Sequence, residues 1–347
     1  MKLEQLDYHI PKNLIATEPT KPRDESSLVV VNKEFEVIKF KEIINQLRKG
    51  DTLVFNNTKV INAHLDGQIK KRKVSVNLNK LIDKQKTIWS AFLKSNKKPM
   101  INEEIIFPFD LKAKIIDVIK NNNTDFFQIQ FSCDYEKLRK ILNSFGKIPL
   151  PPYIKKIREI KRKDSVDYQT IFAKTEGAVA APTASLHFSE KLFEKIKKKK
   201  VNIVYVTLHV NGGTFLPIKA ENVFEHSMHS EFGAISKKSA EIINEHKKKG
   251  GRVIAVGTTV LRLLESSKDK NGLIKEFNGE TDIYLKPGSK INSVDGLITN
   301  FHTPKSTLLL LVYAFIGEQK TKKLYEYAIK KKLRFFSYGD ACLLWKM

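Results

Sequence analysis

Two cysteines in 347 residues are too few for a disulfide framework. Cys133 and Cys342 stand far apart in the chain, in neither a metal-ligand nor a redox spacing, so thiolate metal sites and dithiol chemistry drop out. That usage fits a reducing compartment, and a cytoplasmic location is the expectation. Long apolar runs are missing too. The longest, Thr307 to Ile316, falls well short of the ~20 residues that span a bilayer and reads as a buried helix. The opening MKLEQLDYHIPKN has no apolar signal core, so no export is expected and no membrane partner. Acidic residues are scarce: 38 Asp and Glu face 62 Lys and Arg, for a formal charge of +24. Such an excess favours a polyanionic partner, nucleic acid first. Lys, Ile and Asn are abundant throughout, so compositional drift with solvated lysines is the competing account. Neither a Walker loop nor GxGxxG occurs, so neither nucleotide fold follows.

What is present reads as globular, with 41% hydrophobic and 29% charged residues, and the length suggests two domains. LIATEPTKPRDESSLVV (14–30) is a Pro-punctuated entry loop leading into a strand, and GDTLVFNNTKVI (50–61) holds a buried strand between turns. From about Ile69 to Phe131 short β-branched and aromatic runs follow one another: VSVNL, TIWSAFL, EEIIF, AKIIDVI and FFQIQF. Turn signals separate them, and NNNTD is one. This texture predicts a small antiparallel barrel or sandwich. DYEKLRKILNSFG (134–146) predicts a helix capped by Asp134 and closed by Gly146, with Leu138, Ile141 and Leu142 on one face. After the Pro-rich linker GKIPLPPYI (146–154) the pattern alternates. IVYVTLHV and RVIAV read as buried strands, and Ser236 to Lys249 as a helix. The expected fold class is α/β: a mixed-sheet main domain, 1–63 plus 148–347, interrupted by an all-β barrel-like domain at 64–147.

Five segments of the C-terminal half are built like parts of an active site: GAVAAPTASLHF (177–188), VTLHVNGGTFLPI (206–218), HSMHSE (226–231), RVIAVGTTVLRLLES (252–266) and LITNFHTPKSTLLLLVYAFIG (297–317). They hold His187, His209, His226, His229 and His302, five of the eight histidines. In open α/β sheets ligands bind beyond the carboxyl ends of strands, where these segments turn. Gly257 permits a tight turn, and Thr258 and Thr259 offer hydroxyls and N–H groups at a helix start, which suits a carboxylate or phosphate. An ordinary Thr cap is the plainer reading. Gly212 and Gly213 let backbone approach a flat ligand, and Phe215 can stack on it. Lys305 stands where an anion could be held. RFFSYGDA (334–341) offers Phe336 and Tyr338 for stacking and Asp340 for a proton or a base edge. His226, His229 and Glu231 have a spacing that zinc would accept, although a zinc site needs a third or fourth ligand and a supporting shell.

Together these segments resemble the S-adenosylmethionine:tRNA ribosyltransferase-isomerase family of the queuosine pathway, nearly end to end. PRDESSLVV, GDTLVFNNTKVI, GKIPLPPYI and DYQTIFA (167–173) carry the resemblance along with the five segments and RFFSYGDA. The chain departs from the family pattern at Asn57, His64 and Asn211-Gly212. The resemblance implies an α/β domain with an inserted barrel and a reaction in which S-adenosylmethionine donates a ribosyl unit. The acceptor implied is 7-aminomethyl-7-deazaguanine at the wobble position of tRNA. The product implied is epoxyqueuosine, with adenine and methionine released. No metal or prosthetic group is implied; S-adenosylmethionine is a co-substrate. On that footing His209, His302 and Asp340 are the expected catalytic groups. Thr183, His187, Gly213, Thr214, Phe215, His226, His229, Glu231, Thr258, Thr259, Arg262, Asn300, Lys305, Phe336 and Tyr338 are the expected binding set. A monomer is expected. Three rivals stand beside this reading: a metal-dependent hydrolase built on His226, His229 and Glu231, an RNA-binding protein without chemistry, and a tRNA methyltransferase.

Overall fold

The runs that read as buried strands lie side by side in the middle of a nine-stranded sheet. The structure, a computed structural model, describes residues 1–120 and 125–346, and the side chain of Phe215 lies outside the described set. Asn202–Leu208, Thr52–Asn56, Val253–Val256 and Gly296–Asn300 are parallel neighbours in that order. The last three are buried along their whole length. Period-two alternation splits their side chains between two apolar cores. Val54, Val253, Ala255 and Leu297 face one core, and Leu53, Phe55, Ile254, Val256 and Ile298 face the other. Helices Lys237–Lys248, Thr258–Ser267, Thr307–Ile316 and Glu318–Lys330 close the first core. Helix Glu190–Lys198 closes the second. Ala341–Trp345 runs antiparallel to Gly296–Asn300 and parallel to Ser27–Val31, which makes the sheet mixed, as expected.

The β-rich stretch closes into a six-stranded antiparallel barrel whose strands run from His64–Ile69 to Phe126–Phe131. Val74, Val76 and Leu78 alternate into its core, and helix Tyr135–Phe145 adds Leu138 and Leu142 to it. Asp134 accepts the Lys137 N–H at 2.8 Å, and Gly146 ends the helix. Ser189, Ser236 and Ser306 cap their helices in the same way. Such caps contribute about 1 kcal/mol each. The turn NNNTD lies largely outside the described residues.

Two elements differ from expectation. The strand expected over 203–210 ends at Leu208. There the Asn56 amide takes over the ladder, donating to the Leu208 carbonyl at 2.9 Å and accepting its N–H at 3.1 Å. The Pro-rich linker contains a short helix, Pro152–Lys155, since proline is well placed at a first helical turn. Among the described residues no helix is long and apolar enough to cross a membrane.

Candidate active site

The four parallel strands end on one edge of the sheet, and the loops leaving three of them, Asn202–Leu208, Val253–Val256 and Gly296–Asn300, help shape a cleft of about 630 Å³, part of it open to solvent. Gly257 makes the first turn. Its φ of +103° lies where side chains are strained, and it starts helix Thr258–Ser267 directly at the sheet edge. Thr258 and Thr259 therefore line the cleft at a helix N-terminus, where backbone N–H groups and the helix dipole favour an anion. Of the other residues singled out in the sequence, Thr183, Thr214, Asn300, His302 and Phe336 line the same cleft. Tyr153, Thr299 and Ser337 join them.

His302 follows the strand Gly296–Asn300 and is held from three sides. Its Nε2 meets the Thr299 hydroxyl at 2.8 Å. Its N–H donates to the Tyr325 hydroxyl at 2.9 Å, and its carbonyl accepts from the Tyr8 hydroxyl. Burial pulls its pKa down to about 3, so the ring is neutral at neutral pH. Asn300 is fixed on both sides: its Oδ1 accepts from Thr183 at 2.9 Å, and its amide lies 3.1 Å from His187 Nε2. His187 stands behind this wall, stacked on Phe40, with Nδ1 2.7 Å from Ser26 Oγ. Burial first, then the Arg334 and Arg23 charges, push it to about 3 as well. The amide must donate to Nε2, so the neutral ring carries its proton on Nδ1 and gives it to Ser26. His187 thus positions Asn300 and stays out of the cleft.

The glycine turn is built around Glu231. Its Oε1 accepts from Asn211 N–H at 2.9 Å and from the Thr214 hydroxyl at 2.8 Å. Its Oε2 pairs with Arg262 in the protein interior. Gly213 is needed there, because a Cβ would come within 2.7 Å of the His229 ring. A smaller recess lined by Gly213, His226, His229 and Glu231 meets the cleft at Thr214. His226 packs edge-on against Tyr284 and His229 against Phe126. Burial lowers both pKa values. Thr259 Oγ1, His229 Nε2 and Arg262 Nη2 are buried without a hydrogen-bond partner among the described residues. Each such orphan costs about 1–3 kcal/mol, a cost that a polar ligand in cleft and recess can offset for the two that line them.

Other expected residues fall elsewhere. His209 does not line the cleft, although its neighbour Val210 does. Its Nδ1 lies 2.8 Å from Thr58 Oγ1, and its ring fills the space above Gly177, where a Cβ would meet it at 2.8 Å. Asp340 is a loop staple: it accepts the Ser27 and Arg334 N–H groups, both at 2.8 Å, and burial raises its pKa. Tyr338 packs edge-on against Tyr168 and is buried behind the cleft lining. Lys305 turns to Asp7 at 2.8 Å. Arg262 is committed to Glu231 and holds no ligand in the cleft. His226, His229 and Glu231 do not converge: among the described residues no group of three or more His, Cys, Asp or Glu is arranged to hold a metal ion. Phe215 lies outside the described side chains. Sequence reasoning missed Tyr153, which packs on Phe336 at 4.8 Å between ring centres, because its segment read as linker. It also missed Thr299, whose signal was its place three residues before His302.

The two buried neutral histidines set an acid sensitivity. Their folded pKa values of about 3 lie below the unfolded value near 6.5, so the unfolded chain binds more protons between these limits. Their contribution is complete above pH 6.5 and is lost as pH falls toward 3. Each can remove up to about 1.4 kcal/mol per pH unit in that window. Urea midpoints should fall steadily from pH 6.5 to 4.5, and less steeply in His187→Gln. Equal slopes in the two proteins would refute the burial account.

Comparison with known proteins places this architecture. Residues 3–344 match the family described as "Queuosine biosynthesis protein". The S-adenosylmethionine:tRNA ribosyltransferase-isomerase of Zymomonas mobilis is 43% identical and that of Francisella tularensis strain SCHU S4 is 44% identical, each over 99% of both chains. The crystal structure of S-adenosylmethionine tRNA ribosyltransferase from Thermotoga maritima superposes with a TM-score of 0.54 at 31% identity, covering 98% of this chain and 99% of that one. The chain belongs to the queuosine biosynthesis protein family, an enzyme family whose curated members carry the name S-adenosylmethionine:tRNA ribosyltransferase-isomerase.

Proposed function

We propose that the cleft binds S-adenosylmethionine and transfers its ribosyl unit, with rearrangement, to 7-aminomethyl-7-deazaguanine at the wobble position of tRNA. Epoxyqueuosine-tRNA, adenine and methionine are the products, and the protein acts as a cytoplasmic monomer without a prosthetic group. The observation that carries this reading is the meeting of a helix start suited to an anion, Thr258–Thr259, with a buried imidazole, His302, and a tilted aromatic pair, Phe336 and Tyr153, in one cleft. The family relationship supplies the co-substrate.

The roles follow from the chemistry. Thr258 and Thr259 hold the methionine carboxylate. The aromatic pair stacks on adenine or on the deazaguanine. A sulfonium acidifies the neighbouring ribose C–H, so a positioned base can form a stabilised ylide. His302 is in its basic, neutral form. A carboxylate bound at the helix start adds negative charge near it and favours proton uptake, which burial alone disfavours.

The test is a product assay with S-adenosylmethionine and an anticodon stem-loop carrying the aminomethyl-deazaguanine. Adenine and methionine should appear only with that base present, together with the RNA mass increase. S-adenosylhomocysteine in their place would establish methyl transfer and overturn the reading. RNA binding with no turnover would leave a binding protein.

A further inference from the structure

A second, wider groove of about 2060 Å³ runs between the barrel and the segment that follows it. Lys73 and Lys94 enter it from paired barrel strands, Arg72–Asp83 and Ile88–Ser95. Lys147 and Lys155 enter from the chain leaving the barrel. Counter-charge is short. Asp66 takes Lys147 at 2.8 Å, and Glu159 is the other carboxylate on the lining. Among the described residues Lys155 forms no ion pair: its ammonium reaches Asn77 Oδ1 at 3.2 Å and His64 Nδ1 at 3.5 Å. The ammonium groups of Lys73 and Lys94 form no ion pair among the described residues. Burial lowers the pKa of Lys155, Asp66 opposes this, and Lys94 and Lys147 lower it further. A concave strip of like charges in this state is stabilised when a polyanion fills it.

Two connections lead from the groove to the cleft. Tyr153 lines the cleft and Lys155 the groove, two residues apart on the helix Pro152–Lys155. Along barrel strand Arg72–Asp83, alternation puts Ser75 and Asn77 on one side, and Asn79 follows them at a bulge in the pairing with Ile88–Ser95. Ser75 and Asn77 line the groove, and Asn79 accepts the Gly212 N–H at 2.9 Å, in the turn that carries Thr214 into the cleft.

We infer that this groove seats the RNA backbone, with phosphates on Lys73, Lys94 and Lys155, while the target base passes Tyr153 into the cleft. The barrel is then the part of the enzyme that grips the RNA. The inference rests on the RNA-substrate reading above.

The test is binding of the same anticodon stem-loop across a salt series. Lys73→Glu/Lys94→Glu changes two exposed side chains, so folding should be retained and is checked by the urea midpoint. Lys195→Glu/Lys198→Glu, on helix Glu190–Lys198, makes the same charge change elsewhere. The groove variant should bind at least about tenfold more weakly, and its slope of log affinity against log salt should shrink by about two. The control should stay near wild type. Lys155→Gln should weaken binding in the same direction. A groove variant matching the control in affinity and slope would overturn the assignment while leaving the enzyme reading intact. No salt-sensitive binding by the wild-type protein would remove the RNA-substrate reading and the groove assignment together.

Discussion

Glu231→Ala should lower stability by about 3–5 kcal/mol, the range for breaking one side of a buried ion pair. Glu231 and Arg262 have side chains only 2% and 3% exposed. Removing the carboxylate strands a guanidinium whose Nη2 already lacks a partner. It also releases the Asn211 N–H and the Thr214 hydroxyl, both held by Oε1. Two further substitutions separate these effects. Glu231→Gln keeps an acceptor for the turn but removes the charge, so it should cost less than the Ala variant. Glu231→Leu/Arg262→Met removes both charges and should recover much of the loss, because apolar replacement of a whole buried pair is often close to neutral. The double variant should still be poorly active, since its turn has lost both hydrogen bonds. Urea unfolding gives the stabilities. A loss below about 1 kcal/mol in Glu231→Ala would mean that water or a rearranged turn satisfies Arg262, and the pair would then have no organising role.

That pair shows what sequence patterning could not reveal. Glu231 and Arg262 are 31 positions apart on different elements, and no periodicity couples them. Strands, barrel and the Asp134 helix cap were legible because each depends on neighbours in sequence: apolar runs for the sheet, short β-branched runs between turns for the barrel, an Asp before an amphipathic run. The Gly257-Thr258-Thr259 turn was legible for the same reason, as a strand and a helix meeting at a glycine. Side-chain parity was the harder quantity. His209 and Val210 both looked like strand-end residues, and the Asn56 amide that ends the strand at Leu208 comes from a distant segment. Val210 lines the cleft, while His209 turns to Thr58. Asp340 read as a proton carrier because a carboxylate in an aromatic loop invites it. Its two oxygens are committed to backbone N–H groups of Ser27 and Arg334, and neither partner is marked by residue type. Lys305 was drawn off by Asp7, nearly three hundred residues earlier in the chain.

His302→Ala should reduce single-turnover ribosyl transfer by on the order of a hundredfold, the contribution of one positioned proton-transfer group. The ring has two nitrogens with different duties. Nε2 is engaged with Thr299, so Nδ1 is the nitrogen left for a ligand, and the two roles are separable by substitution. Gln places its terminal amide near the position of Nε2 and can keep the Thr299 hydrogen bond, but it has no group at Nδ1. If His302 moves a proton through Nδ1, His302→Gln should be as slow as His302→Ala, with the KM for S-adenosylmethionine little changed. If the ring serves only to hold Thr299, Gln should restore most of the rate. The pH profile adds an independent readout. With the pKa of His302 near 3 in the free protein, its protonation should not shape kcat/KM between pH 6 and 8, so a bend in that profile belongs to another group. His209→Ala should act mainly on stability, through the space above Gly177, and cost less in rate than the change at His302. Transfer within twofold of wild type in His302→Ala would remove His302 from the chemistry, and Thr258, Thr259 and the aromatic pair would be left as a binding site awaiting its base.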